Sequence, residues 1–433
     1  MKANLSFKKS FLFFIFIAFT GIVSAQEETR SPIDTLATSV KEIESKLGIF
    51  EKLKFSGYFQ PQFQYADSSG AKSYAGGDFP SFSDKRFLLR RSRIKATYTN
   101  NNTQFVFQFD AGEKGFTIKE MYAKITDTKF KMFSLTLGSQ NRPFGFELPY
   151  SSSSCESPER GMLSQIIFPG EYDLGAMLTV QGPKSSKWNA LKLEAGLFNG
   201  TGNNASEYDK QKDIIGHLTY NKSNKSEKIN FGLGVSYFNG AMRQGSKFVY
   251  NNGLVGDYNG FIVDSTSTNN GLYAKREYMG VDMQLNLDLP IGITVLRAEL
   301  IQGTQPGTSS STKTPTAQST DTYFRNFNGA YFYFIQNIMQ TKFQFVAKYD
   351  WYDPNTSVSG NQIFEKTLSL KSTKLSAADI KYSTLGLGLT YKYDQNLKLT
   401  VYYDMVKNES TLLAGYLNDV KDNVLTIRMQ YKF

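Results

Sequence analysis

The last nine residues of the chain, Leu425 to Phe433, alternate strictly between apolar and polar side chains and end on an aromatic. Successive side chains of an extended strand point to opposite faces. Leu425, Ile427, Met429, Tyr431 and Phe433 therefore share one face, and Thr426, Arg428, Gln430 and Lys432 the other. A one-residue slip would exchange the two faces, so register is held wherever the apolar side is covered. Period-2 alternation of this kind recurs in sixteen segments, at about 54–66, 86–99, 103–112, 117–128, 131–141, 173–182, 190–199, 213–221, 230–241, 275–288, 292–305, 323–335, 339–353, 379–393, 396–407 and 422–433. That repetition places the chain in the all-β class.

The connections narrow the class further. Links 67–85, 142–172, 242–274 and 354–378 are long, whereas Asn100-Asn101-Asn102, 129–130, Leu289-Pro290-Ile291 and Asp394-Gln395 are short. Apart from the short 113–116 link, long and short alternate, as expected for a barrel with tight periplasmic turns and extended outer loops. A soluble sandwich or propeller has no reason to alternate. Phe105, Phe107 and Phe109 would face lipid, with Gln104, Gln108 and Asp110 toward the lumen. Likewise Leu385, Leu387 and Leu389 face out, and Thr384, Thr390 and Lys392 face in. Beyond the N-terminal region no apolar run reaches the roughly 18 residues a spanning helix needs. Yet aromatics make up 15% of the chain, with 26 Tyr and 35 Phe, so the apolar content lies in short alternating pieces. Only a closed barrel satisfies strand backbone groups in lipid.

At the N-terminus, Lys2, Lys8 and Lys9 precede the apolar run Phe11 to Val23, and Val23-Ser24-Ala25 fits small-residue cleavage. This pattern predicts a signal peptide over 1–25. Ile33, Leu36, Val40, Ile43, Leu47 and Phe50 follow 3-4 spacing, which predicts a short amphipathic helix within 26–53. It is either a small periplasmic coiled coil that helps an oligomer associate or a single helix at the barrel's lower mouth. The expected architecture is a 16-stranded antiparallel transmembrane β-barrel over 54–433, preceded by that helix, in a Gram-negative outer membrane. Contact with outer-membrane lipid and with the barrel assembly machinery, which would read the C-terminal strand, follows from that placement.

The chain carries a formal net charge of +10, which points to anionic partners or solutes, or to contact with anionic lipid. Arg91, Arg93 and Lys95 share one parity on the second strand. Cations at two-residue spacing avoid hydrocarbon, so they should form a basic ladder on the inner wall. The alternative is that they pair with carboxylates such as Glu120, Glu147, Glu156 or Glu159. Lys124, Lys192, Arg297, Lys342, Lys348 and Arg428 are further inward cations by parity, against the inward acids Asp110, Glu120, Glu194, Asp282, Glu299, Asp350 and Asp404. The 142–172 connection is rich in aromatics and prolines, and a loop of that length and content is expected to fold back rather than float. Placed in the lumen, it would narrow it and present Arg142 and Arg160.

Pore width and electrostatics would suffice for passive diffusion of small anionic or neutral solutes. An enzyme reading lacks support: no Gly-x-Ser-x-Gly, His-Glu-x-x-His or phosphate-cradling glycine loop occurs, and His217 has no partner at catalytic spacing. One histidine and one cysteine predict no His/Cys metal site, no cofactor and no intrachain disulfide. The basic residues follow no nucleic-acid-binding motif. An adhesin or receptor acting through loops 242–274, 306–322 and 354–378 is the alternative.

Arg86 to Tyr98, Glu120-Met121-Tyr122, Leu137-Gly138-Ser139-Gln140-Asn141-Arg142-Pro143-Phe144-Gly145 and Asp173-Leu174-Gly175-Ala176 resemble the phosphate-selective porin O and P family, in its Bacteroidota branch. The resemblance spans essentially the whole chain after the signal peptide. It implies a homotrimeric barrel whose third loop enters the lumen, with an arginine ladder matched here by Arg91, Arg93 and Lys95. The lysine cluster the family carries at its constriction has no counterpart in 142–172, which contains no lysine.

Overall fold

A computed structural model of the protein describes residues 51–433 apart from 114, 169, 318–320 and 365–372, together with positions 36, 39–41 and 48. The segment expected as a signal peptide lies outside the described residues. So does most of the heptad segment, of which positions 36, 39–41, 48, 51 and 52 are helical.

The strands are β1 (Leu53–Ala66), β2 (Lys85–Asn100), β3 (Thr103–Gly112), β4 (Gly115–Thr126), β5 (Phe133–Asn141), β6 (Tyr172–Gln181), β7 (Leu191–Phe198), β8 (Asp213–Ser223) and β9 (Ile229–Arg243). After a hairpin of β10 (Val249–Val255) and β11 (Tyr258–Asp264) come β12 (Tyr273–Leu289), β13 (Gly292–Gly307), β14 (Thr322–Asn337), β15 (Phe343–Asp353), β16 (Tyr382–Lys392), β17 (Leu397–Asn408) and β18 (Val424–Lys432). One helix, α1 (Met162–Ile167), lies in the long connection after β5. Neighbours in sequence pair antiparallel up to β9, which pairs with β12, and β18 returns to β1. The result is a closed antiparallel barrel of sixteen strands, the eighteen of the sheet less the hairpin.

All sixteen expected segments are strands. The largest shift is at β15, which starts at Phe343 rather than 339. There Thr341 N–H bonds Ile338 O (3.0 Å) and Met339 takes a φ of +48°, so 338–342 is a turn. The hairpin within 242–274 is a departure from the expected solvated loop. Glycines and asparagines (Asn251, Asn252, Gly253, Asn259, Gly260) masked its alternation. Beyond the barrel rim, β10 adds in parallel to the start of β14, with Tyr250 stacked on Tyr323 at 4.2 Å.

The closing seam joins the first and last strands. Gly57 and Phe433 exchange both backbone hydrogen bonds at 3.0 Å, and Phe59 and Phe63 sit opposite Tyr431 and Ile427. Burial is inverted relative to a soluble protein. Leu385, Leu387 and Leu389 are exposed, while Thr390, Thr400, Asp404 and Arg428 are buried. The apolar faces are turned outward, where lipid would cover them.

Wall height varies around the barrel. β3 to β8 have 8–12 residues, whereas β9, β12, β13 and β14 have 15–17. A tilted strand crosses a bilayer in roughly 9–11 residues. The β9–β14 side therefore rises well past the span, and its loops pack over it around Phe261, Tyr323, Val358, Ile363, Leu375, Ile380 and Leu413. Fully buried Arg325 pairs with Asp379 (2.8 Å) inside this cluster.

Candidate functional site

The connection from β5 to β6 lies against the inner wall. Arg142, at its start, donates to Asp173 at its end (2.9 Å) and closes the loop's base. Phe144 is fully buried and packs on Phe168 (centroids 5.1 Å apart) and edge-on to Tyr278 (6.5 Å). Short α1 turns Leu163, Ile166 and Ile167 onto the same surface, which the wall builds from Phe198, Ile215, Phe238, Tyr278, Ile301, Phe327 and Tyr352. Burying each large apolar side chain contributes roughly 1.5–3 kcal/mol, so this contact fixes one side of the loop firmly. Part of the lumen is a dry apolar core. The signal was present in 323–335, whose aromatics occupy both faces.

Polar anchors complete the seat. Gly145, at a φ of +62°, donates its N–H to Ser236 Oγ (2.8 Å). The Glu299 carboxylate accepts the N–H groups of Phe146 and Glu147 (3.2 Å each) and the Tyr331 hydroxyl (2.7 Å). Glu147 in turn accepts from Gly161 N (3.1 Å) and Ser164 Oγ (2.6 Å), and so satisfies donors at the start of α1. On the other side of the barrel Ser152 meets Tyr58 (2.7 Å), and Gln430 and Lys398 donate to the Ser153 carbonyl (3.0 and 3.3 Å). The loop is thus held by β1, β2, β9, β13, β14, β17 and β18. Among the described residues none of its hydrogen bonds or ion pairs reaches β3, β4, β7 or β8.

The first long loop, 67–84, also turns inward, which the sequence did not signal. Gln165 of α1 donates to the Tyr74 carbonyl (3.0 Å), and Arg86 donates to the carbonyls of Gly77 and Asp78 (2.8 Å each) while stacking on Phe79.

Each predicted cation can now be located. Arg91 and Arg93 point inward but are 5% and 4% exposed, paired with Glu159 (2.7 Å) and Asp110 (2.9 Å). Lys95 pairs with Glu120 and stays 29% exposed. Arg160 is enclosed by its own loop, bonded to the carbonyls of Glu147 (2.8 Å) and Tyr150 (2.7 Å) and paired with Glu171. Arg142 is spent on Asp173, Arg297 on Glu156 (2.6 Å), and Lys348 on Asp350 (3.3 Å). Arg428 is buried against Glu159 (2.8 Å). Lys192 pairs with Glu194 and is 34% exposed. Lys124 faces the lumen beside Gln104 and Thr136, with no ion pair among the described residues. Lys342 is a correction: it lies in the 338–342 turn, donating to the Tyr393 carbonyl, and not on the wall.

Of the inward cations absent from the parity reading, two lie at β-bulges. Between β1 and β2 the register jumps from Gln60–Arg91 to Pro61–Leu89, so Arg90 has no partner and turns inward beside Arg91. Between β3 and β4 it jumps from Gln108–Glu120 to Phe109–Ile118, and Lys119 lies over the Tyr172 ring (5.8 Å). A bulge inserts one residue and resets parity. The signal available in sequence was the adjacent charges Arg90-Arg91 and Lys119-Glu120, which cannot alternate faces without one charge entering lipid.

Among the accessible inward cations, Arg90, Lys95, Lys119, Lys124 and Lys192 form a strip on β2, β4 and β7. His217, opposite Glu194 in register, is buried and bonds Asp282 (2.9 Å).

No family model matches the chain, and no curated protein matches it. Among solved structures, the outer membrane channel DcaP of Acinetobacter baumannii aligns at 11% identity over 88% of this chain and 97% of its own, with a TM-score of 0.51. Salmonella typhi OmpF aligns at 11% identity over 88% and 97%, with a TM-score of 0.49. OmpTdeltaL8 of Vibrio cholerae aligns at 10% identity over 88% and 99%, also at 0.49. At such identities the likeness is one of fold, and the fold is the closed sixteen-stranded barrel seen in outer-membrane channels.

Proposed function

We propose that this protein is an outer-membrane porin that lets small hydrophilic solutes diffuse passively and favours anions. The observation that carries the reading is the accessible strip of Arg90, Lys95, Lys119, Lys124 and Lys192, facing a lumen whose opposite side is packed with loop. Fixed cations beside a narrow aqueous path raise local anion concentration and lower the barrier to anion entry. The partners Glu120 and Glu194 keep the preference moderate. The resemblance of 137–145 and the basic second strand to the phosphate-selective porins supports phosphate as one of the solutes.

In this reading 142–171 is the constriction loop; Arg93, Arg142, Arg160 and Arg297 position it rather than touch the solute, and Arg91 and Arg428 hold it through Glu159. A homotrimer would bury the outward phenylalanines of β1 to β4, Phe55, Phe59, Phe87, Phe105 and Phe116, all exposed in the single chain. The barrel assembly machinery would read the strand ending at Phe433, delivered after removal of 1–25.

The test is the reversal potential in planar bilayers under a potassium chloride gradient. The wild-type protein should pass chloride in preference to potassium. The K95Q/K119Q/K124Q variant should lower that ratio more than R91Q/R93Q does. A wild-type barrel without conductance, or a ratio unmoved by the triple lysine change, would overturn the reading.

A further inference from the structure

Glu159 sits at the centre of an arginine cluster. Its Oε1 accepts from Arg90 Nε (2.8 Å), Arg91 Nη1 (3.3 Å) and Arg428 Nη2 (2.8 Å), and its Oε2 from Arg90 Nη2 (2.9 Å) and Arg91 Nη2 (2.7 Å). Three guanidiniums thus converge on one planar carboxylate. Arg91, Arg428 and Glu159 are each 5% exposed, while Arg90 keeps 28% of its side chain open. The remaining donors of Arg428 go to neutral acceptors, Gln62 Oε1 (2.7 Å) and the Pro158 carbonyl (2.5 Å), and Arg91 also reaches Gln60 Oε1 (3.3 Å). The wall supplies the cations and the loop supplies the anion, so the cluster is a finished carboxylate site filled by the protein's own side chain.

We propose that Arg90, Arg91 and Arg428 form a binding site for carboxylate-bearing solutes, and that Glu159 is a built-in competitor for it. The proposal rests on the porin reading and names the solute class the lumen takes. The class follows from the fork geometry: paired guanidinium N–H groups match the two oxygens of a planar carboxylate. The open edge of Arg90 is the entry point. A solute carboxylate that reaches it exchanges with Glu159, and the 149–160 stretch of the loop then leaves the wall. No bond is made or broken in the exchange beyond hydrogen bonds and ion pairs.

Two measurements test this on the full chain. Calorimetric titration of detergent-solubilised protein with sodium succinate should show at least tenfold tighter binding to the E159Q variant than to wild type, with phosphate gaining less. The R90Q/E159Q variant should lose the gain. Absence of any gain in a folded E159Q barrel would overturn the site, and an equal or larger gain for phosphate would overturn the solute class. Neither result depends on conductance, so a failure here is distinct from a failure of the porin reading. Should E159Q not assemble, the wild-type protein still reports. Cys155 is the one cysteine of the chain and lies four residues before Glu159. Its labelling by a maleimide should accelerate several-fold in succinate over sodium chloride of equal ionic strength. An unchanged rate would overturn the competition.

Discussion

Replacing Gly145 with alanine isolates the anchor that holds the loop tip. Gly145 has a φ of +62°, in the left-handed region. An L-residue there costs roughly 1–2 kcal/mol. The added methyl would also fall inside the van der Waals envelope of the Glu299 carboxylate. Glu299 must then withdraw from the N–H groups of Phe146 and Glu147, two bonds of 3.2 Å to a carboxylate. Hydrogen bonds to charged groups contribute roughly 1.5–3 kcal/mol each. Strain plus the loss of one such bond totals about 2.5–5 kcal/mol, enough to depopulate the latch by roughly sixtyfold or more at 1.4 kcal/mol per decade. The loop stays in the lumen because Phe144, Leu163, Ile166, Ile167 and Phe168 remain buried. Only the tip at 145–148 should loosen. Hydrogen exchange at the Phe146 and Glu147 amides should rise by about two orders of magnitude, and single-channel conductance should increase and become heterogeneous. Unchanged exchange at those two amides would refute the latch.

Other substitutions separate the remaining contributions. Phe144→Ala removes a fully buried ring and should cost the loop roughly 3–5 kcal/mol, read as faster exchange throughout 142–171 with the barrel's thermal midpoint little changed. In the 127–132 turn Asp127 is held below its ordinary value, chiefly by the Phe133 N–H and then by those of Phe130 and Met132. That support exists above the ordinary carboxylate range and is lost as pH falls through it. Asp127→Asn should therefore speed exchange of the Phe130–Phe133 amides at neutral pH, with the difference vanishing in acid. Asp422, in the loop before β18, is pushed up to about 7 by burial and by the nearby charges of Asp419 and Asp67. A carboxyl raised in the folded state opposes folding once ionised, so protection of 409–423 should decline as pH rises from about 4 through 7. In Asp422→Asn that decline should flatten.

Much of the molecule was legible before any coordinate. Strand alternation is a local property, set by which face of each extended segment meets lipid, and Leu385-Gly386-Leu387 or Phe105-Val106-Phe107 announce it within a few residues. The alternation of long and short links is equally local. The lumen was less legible because its contacts are remote. Ser152 and Tyr58 are 94 residues apart, and Glu159 and Arg428 are 269 apart. No period in the chain encodes such pairs. The inward side of Arg91, Arg93 and Lys95 follows from parity, yet their exposure could not be foreseen, since the carboxylates that bury Arg91 and Arg93 come from the loop and from β3.

By itself the sequence determined a closed, lipid-facing barrel, its strands and their faces, because the bilayer imposes one rule on every residue pair. Only the tertiary structure decided which cations meet the solute. Two bulges reset parity to bring Arg90 and Lys119 inward, and a buried aromatic patch drew the 142–171 loop to one side. Both depend on where the backbone departs from regularity and on which distant surfaces meet, and a two-residue period carries neither.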